Sequence, residues 1–123
     1  EKKIEEQEVM VLMDRFGYTR TVDVATYERN KDAANAESKQ IISCRNTGKL
    51  CMFTNTGKMH QVKVMDLPHG NFRSKGIPID NVSNYDSTKE IIVFICELLY
   101  RFIQHVSLGR NHFIQSLLRQ YSS

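Results

Sequence analysis

At 123 residues, 41% hydrophobic and 25% charged, the chain has the composition of an ordinary globular domain with one modest core. Its longest apolar run, Ile91 to Cys96, falls far short of the roughly twenty residues a membrane-spanning helix needs, and its acidic start, EKKIEEQE, lacks the basic and apolar parts of a secretory signal; a soluble, cytoplasmic protein with no membrane partner is expected. The net charge of +3 is unevenly spread, since residues 39–78 hold seven Lys or Arg against Asp66 alone, which points to a surface facing a polyanion, with a merely solvated face as the alternative.

In chain order, EVMVLMD (8–14) reads as an apolar strand, followed by a turn ending at Gly17 and an alternating strand from Tyr18. The polar, Ala-rich segment 25–39 reads as an exposed connection, mobile or briefly helical. Ile41 to Cys44, the turn Asn46-Thr47-Gly48 and Leu50 to Thr54 suggest a hairpin, and a second hairpin follows through Asn55-Thr56-Gly57 into a strand that Pro68-His69-Gly70 should end. Gly17, Gly48, Gly57 and Gly76 are expected to supply positive φ at turns. From Ile91 onward the spacing of Ile91, Ile95, Leu98, Leu99, Phe102, Ile103 and Val106, then Phe113, Ile114, Leu117 and Leu118, predicts a helical, amphipathic tail that packs on the sheet or docks on a partner.

The chain repeats itself. Setting Gly17 over Gly57 aligns residues 8–27 with 48–67 and places Val22 and Val24 on Val62 and Val64; a second echo pairs Lys39-Gln40-Ile41-Ile42 with Lys89-Glu90-Ile91-Ile92. Two such units, each of several strands, suggest blades of a propeller-like array.

Chemistry-bearing constellations are sparse. Cys44, Cys51 and Cys96 form no regular framework, and the four His are scattered, so neither disulfides nor a metal site nor a cofactor is expected. The glycines do not form a phosphate-cradling loop, and neither Tyr18 nor Tyr27 sits beside an Arg together with an acidic metal-binding cluster, so no catalytic residue is expected. Binding is the stronger theme: Lys58 at a turn, Lys63 on an alternating strand, and Arg73 and Lys75 beyond it are candidate phosphate contacts, with Lys49, Arg45 and Arg20 as further ones. With no recognition helix evident, such binding would be indifferent to base sequence.

RFGYTRTV (15–22), FTNTGKMHQVKVMDLP (53–68) and NFRSKGIPIDN (71–81), in that order, resemble the C-terminal domain of the A subunits of the bacterial type IIA topoisomerases, DNA gyrase and topoisomerase IV. The resemblance covers about residues 8–95 and implies a mainly β fold: a β-pinwheel whose four-stranded blades exchange strands and whose basic rim binds or bends duplex DNA. About two blades fit within residues 1–95, leaving 96–123 as a divergent helical tail. It also implies that the nucleophilic Tyr lies in a preceding domain and that the partners are duplex DNA, the rest of the A subunit, plus the ATP-binding B subunit, at the nucleoid. Two departures stand out. The basic, Gly-rich box that lets gyrase wrap DNA is replaced here by Glu28-Arg29-Asn30-Lys31-Asp32-Ala33-Ala34, which favours a topoisomerase IV-like role, and the tail does not resemble a blade.

A DNA-binding module is therefore the leading expectation. The alternative is a structural, self-associating module with little DNA affinity, pairing as a homodimer through open sheet edges or the tail.

Overall fold

The computed structural model describes residues 5–98, which form two antiparallel sheets sharing one core. Strands β1 (Glu8–Asp14) and β2 (Tyr18–Asp23) make a hairpin with Val9 opposite Asp23 and Met13 opposite Thr19. The near-continuous apolar run of β1 follows from burial on both faces. Val9, Val11 and Met13 point into the core shared with the second sheet, while Leu12, with Met10 beside it, packs on the other side beneath Tyr27 and Ala34.

Tyr27 and Ala34 come from α1 (Val24–Arg29) and α2 (Lys31–Glu37). The helical alternative for the Ala-rich connection therefore holds, as Ala's propensity favours. It is not bare surface: the Tyr27 hydroxyl donates to Asn35 Oδ1 at 3.0 Å, and its ring covers the outer face of the first sheet.

β3 (Ser38–Arg45) pairs with the free edge of β1, Leu12 facing Ile41, and β4 (Lys49–Thr54) opens the second sheet. The hairpin expected between these two strands does not form. The tight turn in which Gly48 N–H donates to Arg45 carbonyl at 3.0 Å passes the chain from one sheet to the next, because Val9, Val11 and Cys44 of the first sheet share a core with Leu50 and Met52 of the second. Gly48 has no positive φ; its lack of a side chain instead admits Glu97, whose Oε2 would lie 2.9 Å from an added Cβ.

β4 does pair with β5 (Met59–Lys63), as expected. The ladder on the other side of β4 is made by residues 92–97, which were expected to lie in a helix. The first sheet is completed by β6 (Ile77–Pro78), so that β7 (Ile92–Glu97) is the last strand, and the sheet orders are β3-β1-β2-β6 and β5-β4-β7. The internal repeat is thereby visible in space: each unit is a hairpin whose first strand is flanked by a later strand, and that strand enters beside a register shift, at Met13/Asp14 and at Phe53/Thr54. Gly17 and Gly57 occupy the same place in the two hairpin turns, with φ of 89° and 84°.

Two expectations change for physical reasons. β5 stops at Lys63, before Pro68, because Val64–Asp66 coil into a 3-10 turn that drops Val64 and Leu67 into the core. Residues 92–97 form a strand because their β-branched run meets the edge of β4, and the ladder continues to Leu98, whose N–H donates to Lys49 carbonyl at 2.7 Å. β7 thus crosses the boundary drawn after residue 95. The remainder of the expected helical tail, from residue 99, lies outside the described residues. No helix among the described residues is long and apolar enough to cross a membrane.

Candidate nucleic-acid interface

The basic side chains gather in separate places. Lys49 and Lys63 sit directly opposite each other on β4 and β5, both exposed, at the end of the hairpin away from its turn. Like charges facing across a strand pair destabilise it, so the doublet is a cost to folding that a bound anion would relieve. Lys58 is exposed at the turn, about 17 Å away along β5 at about 3.4 Å per residue.

That turn is firmly built. Glu90 Oε1 accepts from the hydroxyls of Thr54 and Thr56 at 2.9 and 3.1 Å, Asp86 N–H donates to Oε2 at 3.1 Å, and His60 Nε2 faces both oxygens at 3.0 and 3.1 Å. The His60 bond, with the others assisting against burial, holds the Glu90 carboxyl down to about 2. Asn55 completes the clamp, donating its N–H to Ile91 carbonyl and accepting from Ile91 N–H.

Arg73 and Lys75 lie on an excursion from the edge of the first sheet. Residues 68–70 run beside β2, with Thr21 N–H donating to Pro68 carbonyl at 2.9 Å and Gly70 N–H to Thr21 carbonyl at 3.2 Å, and β6 resumes that edge opposite Tyr18 and Thr19. Between them the chain bows outward, presenting Arg73 and Lys75 to solvent; Lys75 Nζ stands 4.2 Å from the centre of the Tyr18 ring.

Arg20 and Arg45 do not present themselves as the sequence suggested. Arg20 is only 7% exposed, its guanidinium 5.4 Å from the Phe72 ring centre and donating to Phe72 carbonyl at 3.1 Å; Phe72 folds over it and removes it from a convex surface. Arg45 is exposed but paired with Glu6 at 3.3 Å, in a hollow also lined by Glu8 and Glu97. A phosphate there would meet carboxylates.

Arg20 is instead the inner wall of a hollow of about 650 Å³ lined by Arg15, Phe16, Glu37, Phe72, Arg73 and Lys75 among others. Neither charge nor periodicity singles out Arg15 and Phe16 in the sequence. The available signal was an aromatic residue at the tip of a turn, where polar residues are usual. Asp14 fixes this turn by accepting the N–H groups of Phe16 and Tyr18 at 2.8 and 3.0 Å. Among the described residues, no group of three or more His, Cys, Asp or Glu could hold a metal ion.

No protein-family model matches the chain. Among curated proteins it is similar to the DNA gyrase A subunit of Neisseria gonorrhoeae, 33% identical over 101 residues, and to that of Lawsonia intracellularis, 28% identical over 92 residues; these matches cover 74% and 67% of this chain and 11% of each relative. Its fold matches the crystal structure of the C-terminal domain of DNA topoisomerase IV with a TM-score of 0.57 at 20% identity, covering 78% of this chain and 31% of that one. The chain is a relative of DNA gyrase A subunits and has the fold of the topoisomerase IV C-terminal domain. Its two sheets are accordingly blades of a β-pinwheel, each built on one hairpin, with β3 and β7 flanking the hairpins' first strands. The chain spans about a tenth of the length of the gyrase polypeptides it matches.

Proposed function

We propose that this part of the gyrase and topoisomerase IV family binds duplex DNA without regard to base sequence, within a topoisomerase that changes DNA topology using ATP held on a separate polypeptide. The supporting observation is the Lys49–Lys63 doublet, an exposed pair of like charges that the hairpin register forces together. Lys58, Arg73 and Lys75 extend the contact, and none of the five needs a defined base edge to act, because phosphate neutralisation and counterion release supply the affinity. The remainder of the A subunit, the ATP-binding B subunit, plus a location at the nucleoid belong to the same proposal, and within it this segment contributes grip rather than chemistry.

Lys63→Glu tests the reading cleanly. The substitution converts a repulsive cross-strand pair into an attractive one, so the fold should melt no lower than the parent. Duplex affinity should nevertheless fall, with the salt slope of binding reduced by about 1. Unchanged binding by a folded Lys63→Glu chain would count against the doublet as a DNA contact.

A further inference from the structure

The hollow at the β1–β2 turn has properties that a duplex does not use. Arg20 is fixed at its wall, only 7% exposed, and its Nε has no hydrogen-bond partner among the described residues. Arg73, Lys75 and Arg15 stand around it, opposed by Glu37 and by Asp14, whose Oδ1 is already taken up by the turn. At the mouth Phe16 is 70% exposed, with the Arg15 guanidinium 4.9 Å from its ring centre. A volume of about 650 Å³ lies within the range of small-molecule sites, about 300–1,000 Å³.

A double helix is convex and keeps its base faces stacked. Its phosphates can reach Arg73 and Lys75 on the rim, but not the recessed Arg20, and it offers Phe16 nothing to stack on. An unpaired nucleotide satisfies both: its phosphate enters between Arg20 and Arg73, and its base lies on the Phe16 ring, a combination of cation and aromatic platform that suits single strands. We propose that this pocket takes one unpaired nucleotide of a DNA strand. The proposal deepens the DNA-binding reading, from which it takes the source of the strand.

The test is anisotropy of a labelled single strand of about six nucleotides at low salt, with a labelled duplex titrated in parallel. Phe16→Ala should weaken single-strand binding about tenfold, Phe16→Trp should restore it, and duplex binding should be the same in all three chains. Because the ring is exposed, the melting temperature of Phe16→Ala should match the parent's, which separates lost stacking from lost folding. Duplex binding without single-strand binding, or single-strand binding indifferent to Phe16→Ala, would overturn the pocket and leave the duplex reading intact. Phe16-dependent single-strand binding without duplex binding would do the reverse. Deoxyadenosine monophosphate competing as well as unlabelled strand at equal concentration would show a free nucleotide to be the occupant, and overturn the assignment to a strand.

Discussion

Glu90 is 3% exposed at its side chain and carries the densest set of hydrogen bonds in the second blade. Its carboxyl titrates near 2 in the fold against 4.5 ordinarily, chiefly because of His60. A depressed carboxylate stabilises the fold in full above the unfolded value, and that contribution disappears as pH falls from about 4.5 toward about 2. Thermal melts of Glu90→Gln should therefore show a lower melting temperature than the parent at pH 7 and a flatter response to acid in that window; parallel acid responses of the two chains would exclude the cluster as a source of acid lability. None of this was legible in the sequence. Glu90 stands there only as the echo of Gln40, and His60 as one of four scattered His, because a contact spanning 30 residues depends on the β4–β5 turn folding back on residues 86–91.

At the scale of elements, the 71–76 excursion depends on one glycine. Gly76 has φ of 87°, and an added Cβ would lie 2.2 Å from the Thr19 carbonyl oxygen, so an alanine there combines left-handed backbone with collision against β2. Gly76→Ala should cost about 1–3 kcal/mol or more, read by denaturant unfolding, and should displace Arg73 and Lys75 and weaken duplex binding with them; a chain of parental stability would show that the edge of the first sheet tolerates the shift. The glycine and its neighbours Lys75 and Pro78 were readable as a motif, and the β1–β2 and β4–β5 hairpins followed from alternation and turn residues. The partner of β3 did not. Ile41 to Cys44 and Leu50 to Thr54 are adjacent and equally strand-like, so local pattern favours pairing them with each other; only the core shared by two sheets sends β3 to β1. Residues 92–97 misled in the same way, since a short apolar run fits a buried strand or a helix face equally well.

For the whole molecule, unpaired strand edges are templates for pairing with another chain. Among the described residues β3 and β6 end the first sheet and β5 and β7 the second, and self-association through such edges is expected; light scattering at the highest soluble concentration should detect a dimer, and a clean monomer there would exclude it. The overall architecture was legible because the 40-residue echo records two copies of one structural unit, whereas the pocket around Arg20 was not, being assembled from a turn, a helix end and a loop far apart in sequence. The central claim, that these blades grip duplex DNA through phosphates, is tested most directly by anisotropy of a labelled duplex of about 30 base pairs titrated at several salt concentrations. One phosphate for each of the five basic side chains predicts a log–log slope of roughly −4 to −5. Absence of binding at low salt, or binding insensitive to salt, would contradict it.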